Sequence, residues 1–188
     1  MHPRSGFGQD PLLQGERITL RRPRPGDAAT FGLLARRSAS VYGEFAPPLK
    51  SKAQFDEYLQ RCRREDFFGF LICRNEDGLI LGNINLFHII LLRLRNACVG
   101  YFIGAPHNRQ GYATEALRLM LRFAFRELNL HRVEASIQPR NTPSITLVRR
   151  AGFGREGLSR RYLQIAGRWR DHERWALLAE EWRRVESS

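Results

Sequence analysis

Apolar and polar positions along this chain follow two rhythms, one of period two and one of about 3.6. Arg17–Arg22 alternates apolar and basic residues and predicts an opening strand. Pro25-Gly26-Asp27 breaks it, and Asp27 is placed to cap a helix running to about Ser38. Pro47-Pro48 predicts a loop. Ser51 then offers a cap for a second helix, whose Phe55, Tyr58, Leu59 and Cys62 share one face. Phe67–Arg74 and Leu79–Leu91 predict two strands joined at Asn75–Gly78, where Asp77-Gly78 supplies the turn. Ala97–Gly104 predicts another strand, ended by Pro106.

The longest periodic segment follows. Ala113, Ala116, Leu117, Met120, Leu121, Ala124 and Leu128 recur at helical spacing and predict a helix from about Gly111 to Leu128. Arg118, Arg122 and Arg126 lie on another of its faces. Arg132–Gln138 predicts a strand, and Pro143–Ala151 a short helix stopped by Gly152. Arg155–Leu163 and Arg168–Leu178 predict two last strands around a turn at Ala166-Gly167. Strands and helices alternate only in part. The class is therefore α/β of the α+β kind, a mixed sheet with helices packed on it.

At 188 residues the chain is expected to form one domain, about Gly15 to Trp182. Residues 1–14 read as a flexible tail and residues 183–188 as a C-terminal tail. No apolar run approaches the ~18 residues of a membrane helix; the longest, near Leu86–Leu92, is strand-sized. The first residues lack the basic-then-apolar order of a secretion signal, so a cytoplasmic protein is expected.

Charge changes the picture more. Lys and Arg number 31 against 19 Asp and Glu, a net +12, and Lys50 and Lys52 are the only lysines. That balance suits anionic partners such as phosphorylated cofactors, RNA or acidic surfaces, or is simply an arginine-rich solvated surface. Cys62, Cys73 and Cys98 have neither metal-ligand spacing nor a disulfide framework, and read as buried free thiols. His2, His88, His107, His131 and His172 show no i, i+4 pair, so no metal is expected.

Two glycine motifs compete for attention. Gly152-Phe153-Gly154-Arg155-Glu156-Gly157 matches G-x-G-x-x-G, but a dinucleotide site needs a strand before it and a helix after it, and here that order is reversed. These glycines read instead as a helix stop and a turn. Pro106 to Leu117 (PHNRQGYATEAL) is different: a strand ends, a polar loop passes through Gly111, and a long helix begins at once. The first helix amides have no internal partner, so those from about Gln110 to Thr114 can hold a phosphate with help from the helix dipole. An ordinary strand–turn–helix junction has the same outline.

That loop is similar to the R/Q-x-x-G-x-G/A motif of the GCN5-related N-acetyltransferases, with Asn108, Gly111 and Ala113 at its first, fourth and sixth positions. Asn141-Thr142-Pro143-Ser144 followed by Ala151-Gly152-Phe153 resembles that family's second signature. Gly167 to His172 (GRWRDH) and the opening Arg17 to Asp27 (RITLRRPRPGD) resemble the bacterial branch that acetylates ribosomal-protein N-termini. The resemblance spans about Arg17 to Leu178.

It implies a mostly antiparallel sheet of about seven strands flanked by about four helices, with a splayed central pair. It also implies acetyl-CoA as co-substrate and no metal. The pyrophosphate would lie on the loop formed by Asn108, Arg109, Gln110, Gly111, Tyr112, Ala113 and Thr114. The pantetheine arm would pair with Phe102, Ile103 and Gly104, with Asn141 and Ser144 beside it. Asn108 stands where Gln or Arg is usual. Val148 stands where many relatives carry an acidic Tyr, which leaves Ser144 as the nearest hydroxyl unless it is only a helix-start residue. Tyr101, Tyr162 and His172 are other donors. Glu134 is the candidate base, or else the partner of an arginine such as Arg132 or Arg150. Glu44 is a candidate contact for the amine. Asp171 and His172 have a second explanation in a local turn contact.

The expected function is transfer of an acetyl group to a primary amine, most readily a protein N-terminus, in a monomer or homodimer with possible ribosome association and no membrane partner. The alternatives are a small amine such as an antibiotic or polyamine, and a non-catalytic ribosome- or RNA-binding protein. No RNA-binding signature with aromatic platforms supports the last.

Overall fold

In the computed structural model, which describes residues 12–42, 45 and 49–186, the chain builds one sheet strand by strand from its edge. β1 (Leu13–Gln14), β2 (Ile18–Arg21), β3 (Phe67–Arg74), β4 (Ile80–Ile90) and β5 (Asn96–Ile103) form an antiparallel run. β6 (Arg132–Ile137) follows, then β8 (Arg168–Leu178) and β7 (Gly154–Ile165), in the order β1-β2-β3-β4-β5-β6-β8-β7. The sheet thus has eight strands, one more than expected. The addition is β1, inside the segment read as tail: Leu13 pairs with Leu20, and the Gly15 amide closes the turn on the Ile18 carbonyl at 2.8 Å.

β5 and β6 run parallel, and they pair only at Asn96–Arg132, Ala97–Val133 and Cys98–Glu134. Beyond Cys98 and Glu134 they diverge. The expected splay is present, and residues 99–103 of β5 present backbone groups on that side with no neighbouring strand.

Helices cover both faces. α1 (Ala28–Arg37) and α3 (Lys52–Arg61) bury Phe31, Leu34, Phe55 and Tyr58 on one face, against Phe67, Leu71 and Ile80. On the other, α4 (Tyr112–Arg122) buries Ala116, Leu117, Met120 and Leu121 against Ile84, Leu86, Val99 and Val133. Each such fully buried aliphatic side chain contributes about 1.5–3 kcal/mol. α4 continues as a π-helical turn over Phe123–Glu127, where the Leu128 amide reaches back to the Phe123 carbonyl at 3.0 Å.

The helices outnumber the expected four: α2 (Ala39–Tyr42) and α6 (Ala179–Glu186) join α1, α3, α4 and α5 (Thr142–Arg150). α6 takes in residues 183–186 of the expected C-terminal tail. It is anchored by Trp182, whose ring lies 5.2 Å from that of Phe125.

Ser51 caps α3 as expected, in a reciprocal box with Gln54. Asp27 does not cap α1 with its side chain. Its carboxylate instead accepts from the Arg24 amide at 2.7 Å and grips Arg21 at 2.7 and 2.8 Å, and these partners hold it below its ordinary pKa against burial. Pro47, Pro48 and Glu44 lie outside the described residues.

Candidate functional site

The end of β5, the loop after it and the start of α4 form one continuous surface. A 3-10 turn at Ala105–His107 carries the chain out of the sheet, and Arg109 (φ +61°) and Gly111 (φ +84°) turn it back into α4. Gly111 is favoured on two counts: its dihedral is left-handed, and a Cβ there would come within 3.0 Å of Arg17 Nη2, which would have to shift. Arg17 donates to the Gln110 carbonyl at 3.0 Å, pairs with Glu115 at 3.2 Å and stacks 5.0 Å from the Tyr112 ring. A guanidinium is thereby fixed at the mouth of the loop. The Gly111, Tyr112 and Ala113 amides have no helical turn ahead of them to bond. Beside them opens a cavity of about 650 Å³ lined by Arg17, Arg118, Arg122 and Arg150 together with Glu16 and Glu115.

The loop residues divide their work. Tyr112 is buried, so only its backbone faces a ligand. Asn108 accepts a hydrogen bond from the Tyr42 hydroxyl at 2.8 Å, and Gln110 donates from its side chain to the Pro106 carbonyl at 3.1 Å. Ile103 is buried in the core, while Phe102 is half-buried between Tyr42 and Phe31, with ring centroids at 5.1 and 5.9 Å.

Across the splay, Asn141 caps α5 by accepting from the Ser144 amide at 3.3 Å. The cap is therefore Asn141, and the Ser144 hydroxyl is left for other work. It lies 2.5 Å from the Tyr101 hydroxyl, bridging α5 to β5 beyond the last β5–β6 pair. Burial pushes the Tyr101 hydroxyl up to about 12, with the Ser144 bond acting the other way. Val148 is fully buried in the core.

Glu134 lies on the opposite face of β6 from Val133 and Ala135. Both its oxygens are engaged: one accepts from Asn96 at 3.2 Å and Arg132 at 2.8 Å, the other from Arg174 at 2.6 Å. The arginine pairing foreseen for it is present, with Arg174 in addition to Arg132 and without Arg150. Burial, with Glu134 adding to it, raises the neighbouring Cys98 thiol to about 11. His172 is buried, with its ring 5.9 Å from that of Tyr162; its Nδ1 lies 3.0 Å from the Arg170 carbonyl, and burial lowers its pKa. Asp171 accepts from the Arg161 amide at 2.7 Å, a bond across the β7–β8 hairpin rather than the local turn contact foreseen for it. Tyr162 stacks under Arg174, 4.7 Å from its guanidinium.

Sequence reasoning missed Arg17 and Tyr42 at the loop, and Asn83 and Asn85 on β4, which sit opposite Phe102 and Gly100. The asparagines had a visible signal: two polar residues at alternate positions, 83 and 85, in a mostly apolar strand.

A family model for the acetyltransferase (GNAT) domain matches residues 17–154. The chain belongs to that family. It is a GNAT-family N-acetyltransferase, and its fold is the mixed, mostly antiparallel GNAT sheet. A probable N-acetyltransferase of Bacillus subtilis (strain 168), YjcK, is 39% identical over 127 residues, covering 68% of this GNAT chain and 70% of that protein. The ribosomal protein uS5-alanine N-acetyltransferase of Escherichia coli (strain K12) is 35% identical over 115 residues, 61% of this chain and 59% of that enzyme. The structure of Mycobacterium smegmatis RimJ in complex with CoA-disulfide superposes with a TM-score of 0.82 at 29% identity, covering 93% of this chain and 87% of that one. Among the described residues no group of three or more His, Cys, Asp or Glu could hold a metal ion, and no helix is long and apolar enough to cross a membrane.

Proposed function

We propose that this GNAT domain, residues 15–182, transfers the acetyl group of acetyl-CoA to a protein N-terminal amine of the ribosomal-protein type, in the cytoplasm. The observation that carries the reading is the splay of β5 from β6, which opens onto the Gly111 loop and carries the Tyr101–Ser144 hydroxyl pair. The residues suit an extended anionic co-substrate. The Gly111, Tyr112 and Ala113 amides and the Arg17 guanidinium receive the pyrophosphate, with Asn108, Arg109, Gln110 and Thr114 around it. The free edge of β5 at Phe102–Gly104 receives the amide-bearing arm, with the Asn141 side-chain amide across from it. The identity to the uS5-alanine N-acetyltransferase and to RimJ supports the choice of acceptor.

Acetyl-CoA supplies an activated thioester carbonyl. A neutral amine attacks it, so that a C–N bond forms as the C–S bond breaks. Ser144, held by Tyr101, donates a hydrogen bond to the sulfur as charge develops there. Glu134 has three donors on its two oxygens, so its role is to orient Arg174 and Asn96 along the open face, and the ammonium proton leaves through water.

The experiment is thiol release from acetyl-CoA against a panel of N-terminal peptides of ribosomal proteins, spermidine and an aminoglycoside. Turnover confined to the peptides supports the reading. Turnover only with the small amines overturns the acceptor, and no turnover with any amine overturns the enzyme.

A further inference from the structure

The β7–β8 hairpin outruns the sheet. β8 pairs with β6 only from Glu173 to Leu178, so residues 159–172 form a two-stranded ribbon whose ladder bonds run only to itself. Between Leu158 and Arg170 the ribbon carries no acidic residue and four arginines. Arg160, Arg161 and Arg168 are exposed. Of the acids nearest in sequence, Glu156 pairs with Arg132 and Glu173 with Arg155, while Asp171 accepts from the Arg161 backbone amide. Trp169, between Arg168 and Arg170, is 60% exposed, whereas Trp175 and Trp182 are 6% and 8% exposed. Leu158, Tyr162 and Leu163 add exposed apolar surface along the same ribbon. Lower down, Tyr162 packs on Arg174 and Arg174 bonds Glu134, so the ribbon's base joins the open face beside the splay.

We propose that the tip of this hairpin docks single-stranded RNA, with Arg160, Arg161 and Arg168 on phosphates and an unstacked base on Trp169. Exposed guanidinium groups on the same ribbon as an exposed aromatic ring suit a single strand, because phosphates supply the attraction and any base can stack. A second copy of the ribbon is the wrong occupant, since two segments that each carry four arginines and no acid repel. The choice of RNA rests on the acceptor reading above, in which the N-terminus is presented by a particle rich in RNA. The hairpin then holds the particle while its base borders the splay.

The test uses the full chain and an unstructured oligoribonucleotide of ~12 nucleotides. Trp169 is the exposed indole, so saturable quenching of tryptophan emission is expected. Three phosphate contacts predict an affinity falling roughly 20-fold between 50 and 200 mM salt. By anisotropy of labelled RNA, the triple variant Arg160→Glu/Arg161→Glu/Arg168→Glu should lose binding, and Trp169→Ala should weaken it about tenfold. Both variants should keep the parent's melting temperature and its thiol release with free peptide. Unchanged RNA affinity in the triple variant overturns the proposal. So does equal affinity for polyglutamate, or self-association that the triple variant abolishes. Peptide acetylation without RNA binding sinks the docking surface and spares the enzyme; RNA binding without peptide acetylation does the reverse.

Discussion

Ser144 and Tyr101 share one short hydrogen bond, and the environment of each decides what it gives the other. Either oxygen can donate in this bond; with Tyr101 as donor, the Ser144 proton is free to turn toward sulfur, while burial raises the Tyr101 pKa to about 12. Because Asn141 caps the helix, Ser144→Ala should cost only the Tyr101 hydrogen bond, about 1 kcal/mol of stability, while lowering turnover ~10²-fold at nearly unchanged CoA affinity. Calorimetry and a turnover assay on that one variant check both halves. Tyr101→Phe removes a supporting bond of about 1 kcal/mol, so turnover should fall roughly fivefold. The same substitution has a signature in pH. The folded-state pKa of Tyr101 is raised from 10.0 to about 12, so the stability it contributes is complete below pH 10 and is lost as pH climbs toward 12. Urea unfolding at pH about 9 and about 12 should show the parent losing more stability than the Phe variant over that interval. The sequence made Ser144 visible through its signature, and named Tyr101 only as one donor among several. Their pairing depends on how β5 and α5 face each other across the splay, which no local pattern encodes.

The elements most legible in the sequence are those whose periodicity is long or whose caps are local. α4 shows both the strength and the limit of that reading. Its apolar stripe predicts the helix to Leu128, but not that the last turn widens to π geometry at Phe123–Glu127. Ser51 caps α3 because its partner Gln54 is three residues away. Asp27 fails the same expectation because Arg21, on the preceding strand, competes for its carboxylate and wins. β1 was invisible because two residues carry no period. At the loop before α4, Gly111→Ala should cost ~1–2 kcal/mol for a side chain in the left-handed region. It should also weaken CoA binding, because the new Cβ meets Arg17. Arg17→Ala keeps the dihedral and should weaken CoA with less loss of stability, so paired calorimetric and thermal melts separate the two effects. Asn141→Ala should cost about 1 kcal/mol of stability by uncapping α5.

At the scale of the whole molecule, the fold class and the strand–Gly111 loop–helix junction were readable because they rest on order and spacing along the chain. The Glu134 cluster was readable only in part, because it gathers Asn96, Arg132 and Arg174 from three strands. The net charge of +12 told of anions without saying where they bind; the fold sorts part of it into the α4 cavity and part into the projecting ribbon. The splay also has a mechanical meaning. Strands β1–β5 and strands β6–β8 are joined across the sheet by only the three pairings from Asn96 to Cys98, so the domain is two plates on a short hinge, clamped by α4 beneath. Deuterium uptake should therefore be fast at amides facing the gap in residues 99–103, slow in β3 and β4, and slowed in the gap when CoA is added. A ligand lying there serves as a strut between the plates, and acetyl transfer then turns over the piece that stiffens the fold.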